Sequence, residues 1–507
     1  MSAFRDRFNR LRGTAAEAPA AAVSESAANT VDAEVKSVAS EVVAAVVTND
    51  SVNIEREQGQ RDDEVSAIGA QLCDEPGLCE ASANEQAAKH DLATSNDQAT
   101  DMHSASPPEW EPYDVRLVRN EMGEFLAKEI RYPLEYQHGH HAFAEWHEAV
   151  QALSAFHGDE QVMGVGVNGA ATSSFAALRP DNVLFLDLET TGLGAGTGNV
   201  PFMLGIAYYE DGHYVVRQSI IRHPAEERAM LSDLKERLPQ FQYLVTYNGR
   251  TFDWPLMQSR FIMNGFGSKV WEPLHLDFLH PSRSIWRNTL VSCKLSYVEE
   301  ERLGVFREDD LPGSEAPGRY FAYLADGDPK PLLDVFRHNE IDMLSLAALA
   351  IRFGHLLAGR IGSAVPMPSE PEELVRTGLW LERMGEEQSA APLLANVRRV
   401  TEASPSVWNR LAERDKRLGQ WADAIALWNK AASVAEQGAI PDWDAHIELS
   451  MYYEHKAKDI PQALIYARSA LALALEQPLS SRPDSKRRKE IDALRHRLDR
   501  LTRKASK

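Results

Sequence analysis

Residues 182–199 read NVLFLDLETTGLGAGTGN, an apolar run that ends in acidic residues and is followed by a glycine-rich loop. Such a run predicts a central strand that is buried on both faces. Asp187 and Glu189 are separated by one residue, so both side chains project from the same face of that strand. Two neighbouring carboxylates at a strand end are costly unless a cation lies between them.

The residues that follow alternate between strand and helix patterns. Strand patterns are found at 203–221, where Asp211 and Gly212 predict a hairpin turn, at 242–248 and at 273–279. Helix patterns are found at 226–238, 251–264, 290–304 and 332–357. Strands that pair first as hairpins and then alternate with helices predict an α/β domain over 181–360, with a mixed sheet and flanking helices.

The chain before this domain divides into two segments by composition. Residues 1–108 contain 8 basic and 19 acidic side chains, and no aromatic residue occurs between Arg12 and Glu109. We therefore expect a disordered, acidic, alanine-rich region over 1–109. Residues 110–180 are aromatic again and are expected to form a lead-in segment that packs on the α/β domain. Their histidines, His138, His140 and His141, leave a zinc site as the alternative to an ordered loop.

Strand patterns stop after Pro366, and three helical segments repeat loosely over 370–475. Ala391, Ala424 and Ala463 align with offsets of 33 and 39 residues. A period near 34 residues favours tetratricopeptide-like helical repeats, and the alternative is a generic antiparallel helical domain. Residues 482–507 form a basic tail, which either meets phosphates or is a solvated helix.

The composition excludes several classes of protein. The 507 residues carry a net charge of −21, which argues against a protein that coats nucleic acid by charge alone. No apolar run approaches the roughly 20 residues of a membrane helix, so we expect no membrane span. Three cysteines do not suffice for a disulfide scaffold and are typical of a protein of the reducing cytoplasm.

Further polar residues are expected at the same edge of the sheet as Asp187 and Glu189. Asp253 follows the strand pattern at 242–248, close to a helix start, and Asp342 lies in an apolar helix where burial would require a partner. Carboxylate oxygens favour Mg²⁺ or Mn²⁺, and two such ions can promote phosphodiester hydrolysis. His338 lies four residues before Asp342, on the same helical face, and is a candidate general base.

These motifs together resemble those of the DEDD-type 3′–5′ exonucleases. The matching residues are DLETTG from Asp187, YNG with FD and Arg260 over 247–260, and HN with Asp342 over 338–342. SCKLSYVE from Ser292 and DDLPG from Asp309 resemble the YprB-like branch of that superfamily. The family's His-type motif usually has its histidine five residues before the aspartate, whereas His338 precedes Asp342 by four.

The resemblance implies a ribonuclease H-like fold, and a site in which Asp187, Glu189, Asp253 and Asp342 hold two divalent metal ions. Six basic and three acidic residues between Asn248 and Lys294 indicate a basic strip beside that site. We take Asn248, Arg260 and Lys294 as candidate contacts to nucleic acid. Among Trp254, Trp271, Trp286 and Tyr297, we expect one to be exposed for base stacking.

The hypothesis from sequence is therefore a metal-dependent 3′–5′ exonuclease of single-stranded DNA or RNA, whose helical repeats offer a surface for a protein partner. The alternative is a nuclease-like nucleic-acid-binding or scaffold protein that has little or no activity, and the spacing of His338 is its main support. A third hypothesis is an interaction module that acts through the helical repeats alone.

Overall fold

The computed structural model of the chain describes residues 103–104, 106–157, 177–192, 198–438, 442–476 and 485–506. Nearly all of the predicted disordered region 1–109 lies outside these residues. Part of the glycine-rich loop after Glu189 lies outside them as well.

One mixed sheet organises the α/β part of the chain. The strands are β1 (His103–Ser104), β2 (Arg116–Asn120), β3 (Gly123–Pro133), β4 (Gln137–His138), β5 (His141–Ala142), β6 (Val183–Thr190), β7 (Pro201–Glu210), β8 (His213–Ile220), β9 (Tyr243–Thr246) and β10 (Leu274–Asp277). Eight of them form the sheet in the order β1-β2-β3-β8-β7-β6-β9-β10, and β4 pairs with β5 separately. The pairs β6–β9 and β9–β10 are parallel and the others antiparallel, so the predicted mixed sheet is confirmed.

The centre of the sheet follows from local sequence. Strand β7 is buried along its length except at Glu210, which agrees with a strand covered on both faces. Asp211 and Gly212 join β7 to β8 with φ angles of 48° and 72°. Positive φ at both central residues is the geometry of a type I′ turn, whose twist matches that of paired strands.

Twelve longer helices are present among the described residues. They are α1 (Glu227–Arg237), α2 (Asp253–Met263), α3 (Leu279–Trp286), α4 (Ala316–Asp326), α5 (Lys330–Leu357), α6 (Pro371–Arg383), α7 (Glu387–Arg399), α8 (Pro405–Arg417), α9 (Trp421–Gln437), α10 (Asp444–Tyr452), α11 (Ile460–Glu476) and α12 (Ser485–Ala505). Helix α5 packs on the sheet, and its second half is buried on all sides.

The α/β part and the helical region share one apolar core. Phe353 on α5 lies 5.1 Å from Phe278 and 5.6 Å from Trp380 on α6, measured between ring centroids. Trp286 lies 5.5 Å from the same Phe353 ring. The helices after Pro366 therefore extend the core of the sheet domain.

The C-terminal helices pack as successive pairs, α6 with α7, α8 with α9 and α10 with α11. Gly378 lets α6 approach α7 closely, since a Cβ atom there would lie 2.5 Å from Leu394.

The predicted basic tail forms α12, which packs on α11. Glu454 fixes this helix through Arg500 and through Lys504 at 2.7 Å. The fold class expected from sequence, a mixed sheet followed by a helical region, is thus present.

Three local features differ from the expectations. The lead-in segment supplies strands to the sheet, because β3 pairs with β8 along eight residues. Helix α3 was not predicted, since its sequence begins immediately after a strand pattern. The helix expected at 290–304 is a short helix, Leu295–Val298, followed by a π-helical turn over Glu299–Leu303.

Within the described residues, no helix combines the length and the apolar character needed to cross a membrane.

Candidate active site

Three of the four predicted carboxylates line one cleft at the edge of the sheet where β6 ends. Asp187 and Glu189 reach it from β6, and Asp253 reaches it from the start of α2. The cleft has a volume of about 250 Å³. Asn248, Tyr247 and Phe252 complete the wall on the side of β9.

A buried amide fixes the first of these carboxylates. Asn339 on α5 donates a hydrogen bond of 2.9 Å from Nδ2 to Oδ2 of Asp187. The Asn339 side chain is fully buried, and its Oδ1 accepts a 3.0 Å hydrogen bond from Gln218 on β8. Gly205, opposite Asp187 on β7, makes room for this amide, since a Cβ atom there would lie 2.4 Å from Asn339 Oδ1.

The turn before α2 places Asp253. Asn248 has a φ of 69°, and its backbone N–H donates to Asp277 Oδ1 at 2.9 Å. Asp277 also accepts hydrogen bonds from the backbone N–H groups of Arg250 and Leu279, both at 3.0 Å. Asp277 is buried and holds this turn together, so it is not placed to contact a substrate.

Burial and mutual repulsion raise the pKa values of these carboxylates. Burial, followed by the charges of Asp342, Asp253 and Glu189, raises the pKa of Asp187 well above its ordinary value. Burial is also the main cause that raises the pKa of Glu189 to about 8, and Asp342 adds to it. Burial and then Asp277 raise the pKa of Asp253 to about 7. The surroundings of Asp187, Glu189 and Asp253 therefore supply too little positive charge to balance all three carboxylates in their ionised form.

Asp342 lies on α5 and is paired with Arg307, from the segment between the π-helical turn and α4. The Arg307 guanidinium also contacts both carboxylate oxygens of Glu299 at 2.6 Å and Asp310 at 3.1 Å. Glu299 is fully buried. Arg307 thus supplies one positive charge to three carboxylates, and the sequence did not link it to the site because Asp342 lies 35 residues away in the chain.

His338 lies one helical turn before Asp342. Its Nδ1 lies 2.8 Å from Asp310 Oδ1 and its Nε2 lies 3.6 Å from Asp342 Oδ2. Burial lowers the pKa of His338, but Asp342 and the hydrogen bond to Asp310 outweigh that effect, so the pKa is raised. Gly313, which lines the cleft, lies close to Nε2, 3.8 Å from the position of an added Cβ atom.

The carboxylates fit divalent metal ions by their chemistry. Half-buried carboxylates with raised pKa values, all offering oxygen, suit Mg²⁺ or Mn²⁺, and a cation would relieve their repulsion. A second group of possible metal ligands consists of His141, Glu145 and His355. Their candidate ligand atoms lie within 4.8 Å of one another. Two imidazoles and a carboxylate are ligands of the kind that Zn²⁺ accepts.

Only His141 of the three clustered histidines belongs to that trio. His141 Nδ1 and His355 Nε2 lie 3.0 and 2.8 Å from the same oxygen of Glu145, which connects the lead-in segment to α5. His138 is instead bonded to Ser345 at 2.9 Å, and His140 lies against Gly304. The sequence did not indicate the trio, because His355 is far from the other two residues in the chain.

The three candidate contacts to nucleic acid, Asn248, Lys294 and Arg260, differ in their exposure and in their distance from the cleft. Asn248 lines the cleft, and Lys294 is exposed beside Cys293, whose carbonyl accepts a 2.5 Å hydrogen bond from Tyr247. Arg260 is buried in a bidentate ion pair with Glu227, at 2.5 Å for each contact. Arg260 is thus held in a structural ion pair and is not presented to a phosphate. Tyr297 is the exposed one among Trp254, Trp271, Trp286 and Tyr297.

Comparison with known proteins assigns the α/β part to a superfamily. The model of the RNase H superfamily matches residues 184–353, which span β6 to α5 and include all four carboxylates. These residues therefore form an RNase H superfamily domain, which supports a nuclease.

Within the superfamily, the chain is 31% identical over 400 residues to the uncharacterized protein YprB of Bacillus subtilis (strain 168), across 78% of this chain and 90% of that protein. A family B DNA polymerase from the hyperthermophilic archaeon Pyrobaculum calidifontis aligns with 49% of this chain and 30% of its own, at 16% identity and a TM-score of 0.29. That alignment is too weak to support an argument.

Proposed function

We propose that this chain is a metal-dependent nuclease, and specifically a DEDD-type 3′–5′ exonuclease that hydrolyses phosphodiesters of single-stranded DNA or RNA. One observation carries the proposal: Asp187, Glu189 and Asp253 line a single cleft, and Asp342 acts on all three electrostatically from α5. A group of four acids at a sheet edge, of which Glu189 is buried and the others half-buried, has no structural purpose that would offset its repulsion.

Asp187, Glu189, Asp253 and Asp342 would hold two ions of Mg²⁺ or Mn²⁺. Such ions, when bound, lower the pKa of a water and neutralise charge on the phosphate. Asn339 orients Asp187 through its 2.9 Å hydrogen bond. Arg307 must release Asp342 before that carboxylate can serve as a ligand.

His338 is the proposed general base. Its Nδ1 lies 2.8 Å from Asp310 Oδ1 and 3.2 Å from the Arg307 guanidinium, and a proton on Nδ1 that is donated to Asp310 would leave Nε2 as the acceptor atom on the side of the cleft. A neutral imidazole held in this way can take the proton of an attacking water. Its spacing of four residues from Asp342 still leaves both side chains on one face of α5.

The cleft also offers contacts for a terminal nucleotide. Phe252 lines the cleft and is 42% exposed, so its ring is available for stacking on a base. Asn248 presents an amide beside it, although Oδ1 already accepts a 2.8 Å hydrogen bond from Thr251. These features favour an unpaired end over a duplex.

We further propose that the helix pairs from α6 to α11 are tetratricopeptide-like and present a surface for a protein partner. The close approach of α6 and α7 at Gly378 supports this proposal, because small residues at helix crossings are typical of such repeats. The cytoplasm remains the proposed location, on the basis of the cysteine content.

The test is degradation of 3′-end-labelled and 5′-end-labelled single strands of DNA and RNA with Mn²⁺, Mg²⁺ or EDTA. Asp187→Asn and Asp253→Asn remove one charge each with little change of shape. Asp181→Asn is the matched control, because that carboxylate is exposed and, within the part of the chain that the structure describes, forms an ion pair with exposed Arg179 alone. We expect stepwise shortening from the 3′ end, which is lost with EDTA and in both cleft variants but not in the control.

The second candidate is a nucleic-acid-binding protein of the same fold without useful activity. The ion pair between Arg307 and Asp342 favours it, because that pair occupies a carboxylate that metal binding requires. Oligonucleotide binding without cleavage under any metal, in both the wild type and Arg307→Gln, would support this candidate. Cleavage that appears only in Arg307→Gln would instead show that the ion pair holds the site inactive.

A further inference from the structure

A groove rich in arginine lies where α3 faces α6 and α8. Its volume is about 600 Å³, and we call it the arginine groove. Its arginines are Arg283, Arg287, Arg376, Arg383, Arg410 and Arg417. Two carboxylates, Glu382 and Glu413, also line it, so positive charge is in excess.

The charge of the groove is largely unpaired. Arg376 and Arg410 contact the same carboxylate, Glu372, at 2.6 and 3.5 Å. Glu382 is already neutralised by Arg414, through contacts that include two of 2.9 Å. The remaining four arginines of the groove are exposed, and among the described residues none of them has a carboxylate partner.

Arginines that crowd together without anions repel one another. Burial, and then the charges of Arg417 and Arg376, lower the pKa of Arg383. An anion in the groove would relieve this repulsion. Guanidinium groups bind phosphate oxygens through paired N–H donors, and their planes also stack on bases.

The walls of the groove are held in place. Arg376 on α6 donates a 3.0 Å hydrogen bond to the carbonyl of Ser284 on α3. Trp286 Nε1 donates to Glu373 at 2.9 Å, and Asn288 donates to Glu372 at 2.7 Å. These contacts fix the spacing of the arginines, so the groove does not have to form when a ligand arrives.

The groove lies near the acidic cleft. Tyr247 lines the cleft and donates its hydroxyl to the carbonyl of Cys293. Cys293 Sγ in turn lies 4.0 Å from the carbonyl of Ser282, the residue before Arg283 of the groove. The cleft and the groove are thus linked through Tyr247, Cys293 and Ser282.

We propose that the arginine groove binds the phosphate backbone of a single DNA or RNA strand whose 3′-terminal nucleotide lies in the acidic cleft. The proposal rests on the proposed function for the direction of that strand. The excess of guanidinium groups, which bind phosphate oxygens through paired N–H donors, and the nearness of the cleft favour this occupant over an acidic protein segment. The groove then explains why a protein of net charge −21 can hold nucleic acid.

The experiment measures binding by the full chain of labelled single strands of about 20 and about 4 nucleotides, by fluorescence anisotropy in EDTA over a range of salt concentrations. The test variant is Arg383→Gln with Arg417→Gln. The matched control is Arg399→Gln with Arg468→Gln, which removes two exposed arginines that do not line the groove.

For the long strand, we expect the slope of log K against log salt to fall in magnitude by about 1.4, at roughly 0.7 for each lost phosphate contact. At 0.1 M salt this corresponds to binding that is weaker by about 20-fold. In EDTA the short strand should bind weakly to every variant, because it makes fewer phosphate contacts and the cleft without a cation repels its phosphates. The control variant should bind both strands as the wild type does.

Two outcomes would overturn the proposal: an unchanged salt slope in the test variant, or an equal loss in the control. An unchanged slope would leave an acidic protein segment as the occupant to examine. Because all binding is measured in EDTA, the result is independent of cleavage. A chain that binds through the groove but degrades nothing would refute the proposed nuclease and retain the groove.

Discussion

Gly205 lies on β7 directly opposite Asp187, where a larger side chain would meet the amide of Asn339. A Cβ atom there would lie 2.4 to 2.8 Å from three atoms of that side chain. Asn339 is fully buried and is also bonded to Gln218, so it has little freedom to move away. The orientation of Asp187 therefore depends on the absence of a side chain on the neighbouring strand.

We expect Gly205→Ala to destabilise the protein by about 1–3 kcal/mol through overpacking. Metal-dependent cleavage should fall about 10-fold to 100-fold, as is usual when the partner of a metal ligand is displaced. Thermal unfolding and initial rates test this. Gly318→Ala is the control, because Gly318 is an exposed helical residue with no atom within 4 Å of an added Cβ. Full activity in Gly205→Ala would contradict the role of Asn339.

A second prediction concerns Asp310, which contacts His338 but does not line the cleft. If Asp310 acts only by orienting His338, Asp310→Asn should lower kcat about 10-fold to 100-fold without a matching change of KM. The double variant Asp310→Asn with His338→Gln should then be no slower than His338→Gln alone, because the two residues act as a unit. Additive losses would show that Asp310 acts through another group, such as Arg307.

The sequence suggested the four carboxylates and His338 as candidate site residues because each lies in a short local pattern. It did not identify Asn339 as the partner of Asp187, nor Arg307 and Asp310 as partners of Asp342 and His338. These contacts join residues between 28 and 152 positions apart, so only the folded topology brings them together. Arg260 differs in the other direction. Its place in a sequence motif suggested a contact to phosphate, but its guanidinium is paired with Glu227.

Among the elements, α12 is held by charge as well as by apolar contacts. Glu454 has a fully buried carboxylate that contacts Arg500, Lys504 and Arg497. Burial acts to raise the pKa of Glu454, but the hydrogen bonds from Arg500 and Lys504 outweigh it and lower the pKa to about 2. The carboxylate therefore stabilises the folded chain in its ionised form.

We expect Glu454→Gln to reduce the free energy of unfolding by about 2 kcal/mol at pH 7, after allowance for solvent screening of the exposed cations. This contribution is complete above the unfolded pKa of about 4.5 and disappears as the pH falls towards 2, because protonation removes the ion pairs. Denaturant unfolding at several pH values tests it. Glu476→Gln, at an exposed carboxylate of α11, is the control, and a difference between wild type and Glu454→Gln that persists at pH 2 would contradict the assignment.

Local sequence patterns predicted the strands and helices of the sheet domain better than they predicted which strands pair with one another. The strands around Asp187 and the hairpin at Asp211 are present because alternation and turn residues are local signals. The pairing of β3 with β8 was missed, since nothing in the sequence of the lead-in segment indicates which strand it pairs with. Helix α3 was missed because Leu279 and Phe278 read as the end of a strand.

At the scale of the whole molecule, the sheet and the C-terminal helices share one core. Trp380 on α6 packs on Phe353 and lies 6.1 Å from Phe156 of the lead-in segment, measured between ring centroids. Trp286 is buried and donates its indole N–H to Glu373. Removal of the C-terminal helices would expose these rings and leave the indole without its partner.

We therefore expect a chain that ends at residue 366 to aggregate on expression, although it retains every residue of the acidic cleft. A chain that ends at Glu476, without α12, should remain folded and give a cooperative thermal transition. Solubility and calorimetry test both. A soluble, cooperatively folded 1–366 fragment would contradict the view that the α/β part depends on the helices.

The link from Gln218 through Asn339 to Asp187 has a consequence for spectroscopy. The two Nδ2 protons of Asn339 are shielded from solvent, and one of them is donated to the carboxylate oxygen of Asp187. Their nuclear magnetic resonance frequencies must respond when that carboxylate binds a cation, because the electron density on the oxygen changes. Selective ¹⁵N labelling of asparagine would thus provide an internal reporter of occupancy at the cleft, readable without any substrate.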